Sequence, residues 1–194
     1  MKLPDFLQPL AGRADLQLLE RARAGEAKAV RQLVDSLGPP AYALAYRMLG
    51  NAHEAEDVMQ EGLVRLWTGH SFKGNARLST YFHVVIARLC LDRLAVEKRV
   101  DLDPSPDESA WGMVDSAEVD FSKQQTAEKI KQALTALPPR QRLAVVLWAY
   151  HDASIADIAS ALGIEVNAAH QLLHRAKGQL RQSLGDAKHG SHIG

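Results

Sequence analysis

Apolar positions recur at spacings of three and four along most of the chain, and alternating β-branched runs are missing. That period, with abundant Ala, Leu, Arg, Glu and Gln, predicts an all-α protein. Leu16 and Leu19, then Ala27, Val30, Leu33 and Val34, predict two short helices over 14–24 and 26–37, separated by Gly25. Gly38-Pro39-Pro40 predicts a break, and a helix from Ala41 to Leu49 follows, ending at Gly50-Asn51. The next helix covers about His53 to Trp67 and turns Val58, Met59, Gly62 and Leu66 inward. Gly69 to Ser79 reads as a loop, and Ser79 or Thr80 can cap a long helix reaching about Arg99.

Beyond Arg99 the period dissolves. Residues 100–121 contain Pro104, Pro106 and Gly112 and predict a flexible linker, with Trp111 and Met113 as possible anchors within it. Helical spacing resumes at Ser122 or Lys123 and runs to about Leu137, where Pro138-Pro139 interrupts it. A helix from Pro139 to Tyr150 carries Leu143, Val146 and Leu147. From Ser154 to Lys177 the pattern is helix, tight turn, helix. Ser154 is the expected N-cap, Ile155, Ile158, Ala159 and Leu162 form the apolar face, and Gly163 stands where the chain must reverse. Ala159 is small where two helices would cross closely, and Leu172 and Leu173 supply the buried face of the second helix. This is helix-turn-helix spacing, and the following Arg175, Lys177 and Arg181 favour DNA over an ordinary hairpin in a helical core. The expected organisation is two small helical domains, 1–99 and 123–184, joined by an acidic flexible linker, 100–122. The second is the helix-turn-helix domain, and 185–194 is a disordered tail.

Charge sharpens this picture. The 194 residues carry 23 basic and 23 acidic side chains, yet residues 101–122 hold seven acids and no Lys or Arg. The flanking parts are therefore basic, +3 over 1–100 and +4 over 123–194, which fits two heads for a polyanion joined by an acidic strap. No apolar run is long enough to span a bilayer, and the start is broken by Pro4, Asp5 and Pro9, so a cytoplasmic protein is expected. The single cysteine, Cys90, lies among Val85, Ile86, Leu89 and Leu94 and reads as a buried small residue.

Candidate chemistry is about binding rather than bond-making. No Ser/His/Asp grouping or glycine-rich phosphate loop stands out. His170 and His174 share a helix face, but no third ligand accompanies them, so no metal or other cofactor is expected. In Phe72 to His83, adjacent aromatics with Lys73, Arg77, His83 and Arg88 suit single-stranded nucleic acid: rings stack bases while cations hold the backbone. Tyr81 and Phe82 point about 100° apart on a helix, so one of them belongs to the core. The segment Ala55 to Trp67 turns Asp57, Gln60, Glu61, Val64 and Arg65 outward, with Glu61 and Arg65 spaced as an ion pair. It fits a solvated face or a docking surface.

Three of these stretches, in order, resemble bacterial RNA polymerase sigma factors of the small two-domain extracytoplasmic-function group. Ala55-Glu-Asp-Val-Met-Gln-Glu-Gly-Leu-Val-Arg-Leu-Trp67 resembles the family's polymerase-binding helix. Phe72 to Arg99, including Tyr81-Phe82 and Ile86-Ala-Arg-Leu-Cys-Leu-Asp-Arg93, resembles its promoter-melting segment. Leu134-Thr-Ala-Leu-Pro-Pro-Arg-Gln-Arg142 and the helix-turn-helix resemble its carboxyl-terminal domain.

The resemblance implies a promoter-specificity subunit without enzymatic activity of its own. Its implied partners are core RNA polymerase, promoter DNA and an anti-sigma factor, and the chain would be a monomer when free of them. Asp57, Gln60, Glu61, Arg65, Leu66 and Trp67 would dock on the polymerase clamp. Lys73, Asn75, Arg77, Tyr81, Phe82, His83 and Arg88 would serve the −10 element, where a base is flipped at a cost of a few kcal/mol. Asn167, His170, Gln171, His174, Arg175 and Lys177 would read the −35 element. The acidic linker would run toward the polymerase active-site and RNA-exit channels.

The chain departs from the family in places. A Trp is usual where Tyr81 or Phe82 stands, and a Phe where Leu63 stands. The recognition helix, Asn167-Ala-Ala-His-Gln-Leu172, lacks the usual hydroxyl residue and basic pair, so weak autonomous −35 binding is expected. A free-standing helix-turn-helix regulator and a sigma-like module that titrates an anti-sigma factor are the alternatives.

Overall fold

In the computed structural model, residues 8–97 and 121–189 are described; residues 100–120 of the linker predicted over 100–122 and the last five residues lie outside them. Among the described residues there are eight helices and no strand. They are α1 (Gln8–Arg23), α2 (Ala27–Leu49), α3 (Ala52–Thr68), α4 (Leu78–Glu97), α5 (Phe121–Thr135), α6 (Pro139–Tyr150), α7 (Ile155–Leu162) and α8 (Val166–His189). In the amino-terminal set α2 is central, packing on α1, α3 and α4; in the carboxyl-terminal set α8 is central, packing on α5, α6 and α7. The two sets also meet, α4 against α7 and α6, and α2 against α6.

The expected break at Gly38-Pro39-Pro40 does not occur. α2 runs through both prolines because Leu33, Leu37, Ala41, Leu44 and Met48 form one buried face across them. The prolines remove two backbone donors, and their would-be acceptors belong to Asp35 and Ser36, which are exposed and can be hydrated. Burial of a continuous apolar face outweighs the local breaker. Other ends differ as well. α1 begins at Gln8, six residues before the expected start at 14. α8 continues to His189, through the start of the expected disordered tail, and α5 begins at Phe121, a residue or two before the expected start.

α4 begins at Leu78, and its cap is not Ser79 or Thr80. Asp15 of α1 accepts the Leu78 backbone N–H at 2.8 Å through Oδ2. Because it packs on α2, α3, α6 and α7, α4 is apolar on more than one side, with Phe82, Ile86, Ala87, Leu89 and Cys90 all buried.

Arginines close several helix ends from neighbouring helices. The buried Arg142 donates from Nε to Leu134 O (3.0 Å), from Nη1 to Met48 O (2.6 Å) and from Nη2 to Thr135 O (2.6 Å). One guanidinium thus sits at the carboxyl ends of α5 and α2, where unpaired carbonyls and the helix dipoles favour positive charge. Arg140 does the same for α7 through Leu162 O at 2.8 Å, and Arg23 for α3 through Leu66 O at 2.6 Å and Gly69 O.

Candidate nucleic-acid interface

The helix-turn-helix is built by local chemistry. Ser154 and Asp157 form a capping box: Ser154 Oγ accepts from Asp157 N at 3.1 Å, and Asp157 Oδ2 accepts from Ser154 N at 2.9 Å. Gly163, with φ 62°, ends α7 in the left-handed conformation that a side chain would strain. Ala159 is buried, and α8 packs inward through Ala169, Leu173 and Ala176. Leu172, expected beside Leu173, is only half-buried. Asn167, His170, Gln171 and His174 consequently share the exposed face of α8, with Arg175 exposed beside them. Lys177 is turned aside, its ammonium 4.0 Å from the Trp148 ring. Among the described residues no His, Cys, Asp or Glu group could hold a metal ion, and His170 and His174 stand as surface imidazoles.

The loop between α3 and α4 alternates. Phe72, Gly74 and Leu78 are buried, while Lys73, Asn75 and Arg77 are exposed. Phe72 meets the half-buried Tyr81, ring centroids 5.3 Å apart, so Tyr81 lies where the loop joins α4. Phe82 is fully buried and is the core member of the aromatic pair; the structure leaves it no surface for DNA. The other two candidates on α4 face the carboxyl-terminal set. Arg88 Nη2 donates to Ser160 O at 2.8 Å, and His83 meets His151 edge-on at 4.4 Å. Burial holds the His83 imidazole down at about 4. It holds His151 at about 3, with His83 and Arg47 adding to the effect. Both rings are thus neutral at pH 7. Burial likewise pushes the Cys90 thiol up to about 12.

On α3, Asp57, Gln60 and Arg65 are exposed, and Glu61 and Trp67 are half-buried. The expected Glu61–Arg65 pair forms at 2.8 Å, and Arg93 of α4 approaches the same carboxylate at 3.5 Å. Leu66 points into the core at 2% exposure, so it supports the helix rather than presenting to a partner. Reading along the chain missed Asp15, Arg23, Arg142 and His151. Each acts on a residue distant in sequence, Arg142 on Met48 as well as on the nearer Leu134 and Thr135, and a period or motif carries no signal for the distant pairings.

Comparison with known proteins follows the same two-part division. A model of sigma-70 region 2 matches residues 33–100, and a model of sigma-70 region 4 matches 127–180. The chain is 30% identical over 181 residues to the ECF RNA polymerase sigma factor SigW of Bacillus subtilis, covering 87% of this chain and 95% of SigW. It is 30% identical over 183 residues to the ECF sigma factor SigM of Mycobacterium tuberculosis, covering 93% of this chain and 90% of SigM. In fold it is similar to the sigma factor RpoE of Bartonella quintana, solved with the anti-sigma factor NepR, with TM-score 0.64 and 20% identity over 82% of this chain and 98% of RpoE. CnrH, solved with the cytosolic domain of CnrY, gives TM-score 0.62 and 22% identity over 90% of this chain and 98% of CnrH.

Proposed function

The chain belongs to the extracytoplasmic-function RNA polymerase sigma factors, and from that premise we propose that it binds core polymerase and directs it to promoters in the cytoplasm. The observation that carries the reading is the pair of matched segments, each folded with an exposed polar surface. Asp57, Gln60, Glu61, Arg65 and Trp67 dock α3 on polymerase. Lys73, Asn75, Arg77 and Tyr81 receive the unstacked −10 strand. Asn167, His170, Gln171, His174 and Arg175 meet the −35 duplex, with hydrogen-bonding side chains for base edges and few cations for phosphates.

DNA binding on this reading requires the two helical sets to part. The −35 and −10 elements lie about 25 base pairs apart, roughly 85 Å along B-DNA. The longest helix among the described residues, 24 residues, spans only about 36 Å. The 23 residues between Glu97 and Phe121 can reach at most about 80 Å, which with the width of the sets covers the distance. Separation releases Arg88 from Ser160 and His83 from His151 and frees them for −10 DNA. An anti-sigma factor that holds the sets together would keep the chain inactive, in keeping with the similarly folded RpoE, which was solved with the anti-sigma factor NepR.

Mixing the full chain with core polymerase in analytical ultracentrifugation tests the reading. A stoichiometric complex that Asp57→Arg with Gln60→Ala weakens at least about tenfold is expected. A folded chain that does not bind core polymerase would overturn it and leave the free-standing regulator or titrating module.

A further inference from the structure

The α3–α4 loop is held from outside by one helix. Asp15 accepts the first backbone N–H of α4, from Leu78, at 2.8 Å. Arg23, two turns further along α1, donates to Leu66 O at 2.6 Å and to Gly69 O, closing the end of α3 where the loop begins. Between these two anchors the backbones of α1 and the loop touch. A Cβ placed on Gly12 would run into the carbonyl oxygens of Gly74 and Ala76, and one on Gly74 would lie 2.9 Å from Gly12 O. Gly74 itself has φ 72°, a conformation that a side chain strains. α1 therefore fixes both ends and the middle of the loop, and it precedes the segment matched by the family model.

We infer that α1 is a positioning helix for promoter opening: Asp15, Arg23 and Gly12 set the register in which the loop offers Lys73, Asn75 and Arg77 to single-stranded DNA. The loop's alternation gives this its force. Phe72, Gly74 and Leu78 must all point inward for the three polar side chains to point outward together. Release of either end lets the loop slide, and a misplacement of about 1 Å at a site of this kind can cost about a hundredfold in rate. None of the three α1 residues needs to touch DNA. The inference rests on the sigma-factor reading, and its test separates the two.

The test uses holoenzyme assembled from core polymerase and the full chain, on promoter templates that the wild type transcribes. Each template is prepared as full duplex and as a heteroduplex already open around −10. Asp15→Ala and Gly12→Ala are expected to slow duplex opening, read by permanganate reactivity of unpaired thymines, at least about fivefold, the factor for one lost capping bond of typical strength. Core binding and −35 preference stay unchanged, and base preference at −10 relaxes on the open templates. Asp15→Asn restores opening, because its amide oxygen still accepts from Leu78 N. Thermal melting shows that each variant is folded at the assay temperature. Opening by Asp15→Ala and Gly12→Ala within twofold of wild type, with unaltered −10 preference, would overturn the inference. So would a failure of Asp15→Asn to exceed Asp15→Ala. A wild-type chain that binds no core polymerase would instead overturn the sigma-factor reading itself.

Discussion

Replacing Arg142 by Met tests whether one buried guanidinium closes two helix ends. The three bonds run to Leu134 O, Met48 O and Thr135 O, and the residue is 9% exposed. Met fills much of the space left by the arginine stem, so the packing loss is small. The polar loss is not. Leu134 O retains a bond from Leu137 N at 3.1 Å, whereas Met48 O and Thr135 O each lose a charge-assisted donor. Each orphaned carbonyl costs about 1–3 kcal/mol. Removing the buried cation returns part of its desolvation cost, so the net is about 3 kcal/mol. For a domain of 60–100 residues that lowers the melting temperature by about 12–24 °C, measurable by calorimetry at pH 7.5. Arg142→Lys keeps the charge but cannot fork to three carbonyls, and it should fall between wild type and Arg142→Met. A shift under about 3 °C for Arg142→Met would refute the capping argument.

Other outcomes follow from the same structure. His83 and His151 titrate lower in the folded chain than the ordinary 6.5, near 4 and 3. Below about pH 6.5 the unfolded chain therefore takes up protons that the folded chain refuses. Stability is full above that pH and falls as pH drops toward 3, each histidine adding a slope of up to about 1.4 kcal/mol per pH unit. Melting at pH 7.5 and 5.0 should show a smaller loss for His151→Leu than for wild type, and an equal loss would contradict the assignment. Cys90, buried with its thiol pushed up to about 12, should react with a thiol reagent only at the rate of unfolding; prompt labelling of the native chain would contradict this. Ser154→Ala removes the capping box and should cost about 1 kcal/mol, read as a lower denaturation midpoint with unchanged slope. The free chain should bind duplex DNA no more tightly than about 10⁻⁶ M at physiological salt, because the α8 face offers few cations; nanomolar binding by fluorescence anisotropy would contradict it.

What the sequence disclosed and what it hid divide along a physical line. The helix-turn-helix was legible because its determinants are local: an N-cap serine, a small residue at the crossing and a glycine in the turn all act within ten residues. The ion pair on α3 was legible for the same reason. α2 was misread because the cost of Pro39 and Pro40 is local, whereas the compensating burial of Leu33, Leu37, Ala41, Leu44 and Met48 involves the other helices that pack on α2, namely α1, α3, α4 and α6. Of the candidate residues, Phe82 and Leu66 went to the core: the helical period had turned Leu66 inward and placed one of Tyr81 and Phe82 there, whereas the motif list took all three as contacts because a motif does not specify which way each side chain faces. Asp15 and Arg23, and Arg142 in its bond to Met48, were invisible because they serve helix ends 43–94 residues away.

The central claim is that this chain confers promoter choice on core polymerase. Run-off transcription with purified core polymerase, with and without the full chain, on a genomic promoter library addresses it directly. The account predicts discrete start sites that appear only with the chain and share −35 and −10 motifs. It further predicts that changes at Asn167, His170 or Gln171 alter only the −35 motif, while changes at Lys73, Asn75 or Arg77 alter only the −10 motif. A folded chain that leaves the start-site profile of core polymerase unchanged would contradict it.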